Sequence, residues 1–427
     1  MPSPAHLPAM TEPRPADPAA VKGPGFPEFV ALIAMMMACN ALAIDSMLPA
    51  LPAIGGALGV VDENARQWVI TAYLLGFGVA QVAYGPLADR FGRKPVLAVG
   101  LSLYVLFALL AAAAPSFGTL IAARVGMGLG AAATRVLAVS IVRDRYSGRT
   151  MARVMSLSFL VFLGVPILAP SIGQLILTVA PWRWIFGVLA LFGAAVLTWA
   201  MLRLPETLRP EDRLPIQAGR IASAFKEAIT NRTSIGYTLA MTAISGALFG
   251  FINSSQQIFA DVFHAADIFP MVFACVAGGI AAASLINARI VTRIGSRRIA
   301  HTAMIGFTVM GVIHLTVTLM GLETIWTFGV LQALTMFCFG FMAGNVGSMA
   351  MEPMGHIAGT ASSAQGFIST IGGSLLGFAI GQSFNGSVTP MAAGFTVMGV
   401  LAIAFTLVAE RGKLFRAHHL PPLEKAA

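Results

Sequence analysis

Apolar residues in this 427-residue chain gather into twelve runs, each closed off by charges or by Gly and Pro. They cover approximately residues 29–51, 66–88, 95–114, 118–142, 154–179, 182–202, 234–258, 268–288, 299–320, 324–350, 360–383 and 388–409. Each is close to the ~20 residues a helix needs to cross the hydrocarbon core of a bilayer. Backbone groups in lipid must find partners within their own segment, so such runs are predicted to be helices. The pattern predicts an all-α polytopic membrane protein of twelve transmembrane helices. The longest interior hydrophilic stretch, 203–233, leaves six runs on either side. The expected organisation is a disordered Pro-rich tail over 1–27, a six-helix bundle over 28–202 and a cytoplasmic linker over 203–233. A second six-helix bundle over 234–410 and a cytoplasmic tail over 411–427 complete it.

Composition agrees with that class. With 57% hydrophobic and 11% charged residues and a mean hydropathy of +0.81, the chain has too much apolar surface for a water-soluble globule. The net charge of +9 alone would allow a nucleic-acid partner, but its distribution argues against one. If the N-terminus is cytoplasmic, all but four of the 27 Lys and Arg fall on the cytoplasmic side. Arg66 and Arg183 lie outside, and Arg124 and Arg135 lie within spans. This asymmetry is the positive-inside rule and predicts that both termini are cytoplasmic. Cys39, Cys275 and Cys338 all lie in spans, which argues against disulfides and cysteine metal sites. No His or carboxylate cluster has metal-ligand spacing, and no Gly-rich phosphate loop appears, so neither metal nor cofactor is expected.

The most specific segment is Gly85-Pro86-Leu87-Ala88-Asp89-Arg90-Phe91-Gly92-Arg93-Lys94-Pro95, a charged turn between the second and third runs. Gly92 can adopt backbone angles closed to other residues, and Pro95 suits the first turn of a helix. Asp89 among Arg90, Arg93 and Lys94 places one anion with three cations, a group able to lock or release a neighbour. A positive-inside anchor plus a turn is the plainer reading. Asn287 to Arg298 links the equivalent runs of the second half, and aligning Gly295 with Gly92 places Arg293 on Arg90 and Thr292 on Asp89.

Three charges lie well inside runs, away from their ends. A carboxylate at the depth of Asp45 costs ~3 kcal/mol unless it is paired, protonated or in a wet cavity. It is therefore a candidate proton carrier; the alternative is a hydrated cap beside Pro49. Arg124 lies at a similar depth and is its natural partner. Arg135 follows eleven residues later, which returns to nearly the same helix face about 16 Å along. Two arginines on one stripe point to a polar cavity, although Arg135 is near enough to Arg143 to snorkel to the surface. Asn253, Gln256 and Gln257 form a polar stripe at i, i+3 and i+4, able to contact substrate or to join helices. Pro166 and Pro170 bend the fifth run, and Gly173 permits close helix contact.

These residues resemble the major facilitator superfamily. Gly85 to Lys94 is similar to its loop between helices two and three, G-x-L-[AS]-D-R-x-G-R-[RK]. The chain looks more closely like the twelve-span drug:proton antiporters of Bcr/CflA type. Asp45 to Pro52 resembles their D-M-Y-L-P-A-L-P, departing at Ser46 and Met47. Ala122 to Gly128 is similar to their arginine followed by spaced glycines, and Val142-Arg143-Asp144 to the inner end of helix four. Ala169 to Gly173 resembles the helix-five motif G-P-x-x-G-G, with Ala169 for the first Gly and Gln174 for the last. The resemblance implies two pseudo-symmetric six-helix bundles with the substrate site between them. It further implies proton coupling by Asp45 with Arg124 as its basic partner, and a gating loop of Gly85, Asp89, Arg90, Gly92, Arg93 and Lys94, with Asp89 and Arg90 as the lock. Pro166, Pro170 and Gly173 would form the antiporter motif, and Arg135, Asn253, Gln256 and Gln257 are assigned to the substrate cavity. The expected function is a monomeric, proton-coupled exporter of small, mostly hydrophobic compounds across the bacterial inner membrane. Its expected partners are substrate, protons and lipid. A metabolite transporter for a sugar, amino acid or organic anion is the alternative, and a non-transporting receptor a third.

Overall fold

The structure is a computed structural model that describes residues 23–216 and 218–415. The expected tails at 1–22 and 416–427 lie outside the described residues. Among the described residues there are helices and no strand. The first span, 26–57, comprises α1 (Phe26–Asp45), a 3-10 turn (Leu48–Ala50) and α2 (Leu51–Ala57). Five more spans follow: α3 (Trp68–Phe91), α4 (Arg93–Ala112), α5 (Phe117–Arg145), α6 (Gly148–Val179) and α7 (Arg183–Arg203). After α8 (Ala218–Thr230) come α9 (Arg232–Gln257), α10 (Phe269–Ile294), α11 (Ser296–Leu319), α12 (Ile325–Met351), α13 (Ala358–Gln382) and α14 (Thr389–Ala409). Twelve of these segments are long and apolar enough to span, as the hydrophobic pattern predicts.

Contacts repeat between the halves. α5 packs on α3 and α4, α4 on α7, and α1 on α6. In the second half α12 packs on α10 and α11, α11 on α14, and α9 on α13. The halves meet through α3 against α13 and α6 against α10, a pairing with the same symmetry. An even number of spans brings α1 and α14 to one face, here the terminal face.

Two local features depart from the sequence reading. The charged segment after Gly85 is helical almost throughout: α3 runs to Phe91, α4 starts at Arg93, and Gly92 alone is the turn. Gly92 has φ +100° and ψ 159°, and Gly295 repeats this between α10 and α11 with φ +89° and ψ 143°. Side chains disfavour such angles, which explains why glycine stands at both junctions. The linker, expected to be simply hydrophilic, contains α8, whose Ala228 packs with Met354, Ala361 and Ala364, and whose Phe225 ring meets Phe367 at 6.2 Å.

Candidate functional site

The first span breaks at Asp45 for local reasons. Pro49 lacks an N–H, and its ring would collide with the carbonyl four residues back, that of Asp45. The Ser46 hydroxyl donates to the Leu42 carbonyl at 2.6 Å, competing with the helical ladder. The helix does end at Asp45, but not in water. Asp45 is 5% exposed, and Ser46, Met47 and Leu48 are buried with it, so the hydrated-cap alternative fails. Its Oδ1 is buried without a hydrogen-bond partner. Gly173 of α6 lies directly on this break: a Cβ there would strike the Ser46 carbonyl oxygen and lie 3.1 Å from Pro49. Pro166 and Pro170 lie in the same helix, on the terminal-face side of that contact.

Arg124 does not pair with Asp45, contrary to expectation. It is fully buried and donates to the Val69 carbonyl of α3 at 2.7 Å and the Ala43 carbonyl of α1 at 2.9 Å. Its guanidinium lies 4.5 Å from the centroid of the Tyr73 ring. The reason is the broken helix: the last carbonyls of α1 lack intrahelical partners and carry the negative end of its dipole. Arg124 caps that end, two residues before Asp45. It does not line a cavity.

Arg135, on the same stripe, behaves differently. Its side chain is exposed, whereas Thr134 beside it is buried. Among the described residues nothing bonds or pairs with it.

The polar stripe of α9 is fully buried, with Asn253 at 0%, Gln256 at 6% and Gln257 at 4% exposure. Gln257 joins the halves instead of facing open space. Its side chain donates to Asn64 Oδ1 at 2.8 Å and accepts from Gln67 at 2.7 Å. Gln67 also donates to the Gly381 carbonyl at 3.0 Å, and Gln382 to the Asn64 carbonyl at 2.7 Å. This amide cluster closes the opposite face. Gln67, Asn64 and Gln382 carried no sequence signal of their own, since single amides at span ends are common. Asn253, one turn below, leaves both its side-chain polar atoms unpartnered. Among the described residues no hydrogen bond or ion pair joins the halves at the terminal face, and Gln81 to Thr370, 3.1 Å, is the inter-half bond nearest to it.

At the terminal face Asp89 pairs with Arg93, one of the three cations around it. Residues four apart face one another, whereas neighbours point ~100° apart. Arg90 stays exposed. Arg93 is 3% exposed and also holds Asp144 of α5 at 2.9 Å. Glu206, just past α7, accepts from the backbone N–H of Arg93 at 2.9 Å and of Lys94 at 3.1 Å. It thereby caps α4, whose own N-cap, Gly92, has no side chain to do so. Gly85 faces Ser363 of α13 across the halves. Asp144 and Glu206 were not legible as partners of Arg93, because they lie 51 and 113 residues from it. The second half repeats the arrangement: Arg297 pairs with Glu352 at 2.7 Å and Glu410 at 2.8 Å. A pocket of about 440 Å³ beside Gly295, Arg297, Ser348, Glu352 and Phe415 lies at this face, remote from Asp45. Replacing Glu206 by Ala uncaps α4 and is expected to cost roughly 1–2 kcal/mol. Thermal unfolding in detergent reads this as a lowered midpoint, and a midpoint equal to the parent's counts against the cap.

Comparison with known proteins places the chain. Residues 33–377 match the family described as the Major Facilitator Superfamily. The chain is 31% identical over 386 residues to Multidrug resistance protein D of Escherichia coli (strain K12), covering 87% of this chain and 93% of that protein. It is 30% identical over 378 residues to the uncharacterized MFS-type transporter YdgK of Bacillus subtilis (strain 168), covering 88% and 93%. It is 27% identical over 381 residues to a bicyclomycin resistance protein homolog of Haemophilus influenzae, covering 88% and 95%. Among solved structures, the xylose transporter XylE of E. coli in a partially occluded inward open conformation superposes with a TM-score of 0.70 at 10% identity, covering 92% of this chain and 99% of that one.

Proposed function

The chain belongs to the major facilitator superfamily, and from that premise we propose that it exports small, mostly hydrophobic compounds from the bacterial cytoplasm in exchange for protons. The family and the drug-resistance names of the relatives support a transporter, not an enzyme. Asp45 is the observation that carries the proton coupling. It is a buried carboxyl with one oxygen unpartnered, at the break of the first span, and among the described residues no cation pairs with it. A charge so placed is expensive, and binding a proton removes the cost. The break itself is held by Gly173 from one side and Arg124 from the other. A change of protonation therefore acts on a joint packed against the rest of the first bundle.

Alternating access follows from the two ends. The amide cluster of Asn64, Gln67, Gln257 and Gln382 closes the opposite face, which we take as periplasmic. The terminal face, taken as cytoplasmic from the distribution of basic residues, has no such bridge among the described residues. In this state the path opens inward. Asp89, Arg93, Asp144 and Glu206 stiffen the inner ends of α3, α4 and α5, so that the first bundle moves as a body.

The test uses everted membrane vesicles from cells expressing the protein, energised to acidify their interior. Chloramphenicol, norfloxacin, nalidixic acid and novobiocin are added in turn while a ΔpH-sensitive dye is followed. Partial collapse of the gradient by at least one compound, absent in vesicles without the protein, is expected. A gradient untouched by all four, but dissipated by a sugar or amino acid, assigns the protein to metabolite transport instead.

A further inference from the structure

Arg135 differs from Arg124, Arg93 and Arg203 of the first bundle in having no bonded partner among the described residues. Arg124, eleven residues earlier on the same stripe of α5, has its donors taken by the Val69 and Ala43 carbonyls. Arg93 is taken by Asp89 and Asp144, and Arg203 by Glu28 at 2.7 Å. Arg135 has no such acceptor among the described residues. The acids at the inner ends of the helices are already engaged, Asp144 by Arg93 and Thr207, and Glu206 by backbone N–H groups. Arg135 lies about 12 Å along the helix from Arg143, counting 1.5 Å per residue, so it is well inside the bundle rather than at its rim. Its neighbours Thr134, Leu137 and Ala138 are buried, whereas Arg135 itself is exposed. The face of α5 that it occupies therefore carries a positive charge with no bonded counter-charge among the described residues.

We infer that Arg135 sets the substrate class of this transporter, and that its preferred cargo is an amphiphilic monoanion: an apolar body carrying one carboxylate-like group. A guanidinium presents a planar fork that matches a carboxylate in two parallel hydrogen bonds. An uncompensated cation in a membrane interior is costly, and an anionic cargo relieves that cost on arrival. The same charge repels permanently cationic compounds. The inference rests on the reading of this face of α5 as part of the substrate path.

Binding without any pH gradient tests it. The purified full-length protein in detergent is titrated with 1-naphthylacetate, its neutral amide 1-naphthylacetamide, and 1-naphthylmethylammonium. The acetate is expected to bind at least about tenfold more tightly than the amide, as one charge-assisted hydrogen bond supplies, and the ammonium most weakly. Arg135→Gln should erase the advantage of the acetate over the amide, while Arg135→Lys keeps part of it. Failure to bind the acetate, equal affinity for all three probes, or an equal loss of all three in Arg135→Gln each overturns the assignment. Because no gradient is imposed, the outcome is independent of proton coupling. An anion preference in binding, together with vesicles in which no compound collapses the gradient, retains this inference and rejects the exporter reading.

Discussion

Asp45→Asn is expected to reduce pH-gradient-driven transport in proteoliposomes to the rate of empty vesicles, with insertion and folding intact. The amide has nearly the shape of the carboxyl and fits the same site, 5% exposed between Ile44 and Ser46. It cannot take up and release a proton, so a gradient has nothing to act on. It also has no charge to desolvate, and the variant should therefore unfold at a temperature no lower than the parent. The discriminating measurement is exchange of labelled for unlabelled substrate at equal pH on both sides. Exchange needs the alternating movement but no net proton transfer, and it should survive. Gradient-driven transport equal to the parent's, by a well-expressed Asp45→Asn protein, removes Asp45 from the coupling role. Loss of both activities points instead to a structural part for this carboxyl.

Arg124→Ala is expected to damage the fold more than the chemistry. Two hydrogen bonds from a charged donor contribute roughly 1.5–3 kcal/mol each, and the Tyr73 stacking about 1–2 kcal/mol. The sum is on the order of 4 kcal/mol or more, enough to lower the unfolding temperature by several degrees. The end of α1 at Ala43 loses its cap, and the joint at Asp45 loosens with it. Arg124→Lys reaches one carbonyl at a time and should recover only part of the stability. If Arg124 acted chiefly through the charge of Asp45, the alanine variant would instead keep its stability and shift the pH profile of transport. Detergent melting curves, together with transport measured across pH, separate the two.

The difference between these arginines shows where sequence reading ran out. Arg124 and Arg135 are equivalent by helical phase and by cost in lipid, so both were assigned to a cavity. What separates them is what lies opposite. Arg124 faces the frayed end of α1, where carbonyls lack partners, and Arg135 is exposed with no bonded partner among the described residues. The same holds for Gln257, which the stripe on α9 placed near substrate and which instead meets Asn64 and Gln67 from the other half. The sequence placed Asp89 among three cations, Arg90, Arg93 and Lys94, and the i to i+4 geometry selects Arg93.

The sequence alone determined the twelve spans, because these depend on local quantities: run length and the charges, Gly and Pro that close each run. Charge distribution likewise predicted which face the termini share. Only the tertiary structure decided the partners of each buried polar group and the end at which the path is closed. Those choices depend on which groups arrive within hydrogen-bond distance from 50 to 300 residues away, and a hydrophobic pattern that reports burial contains no information about what a buried donor meets there.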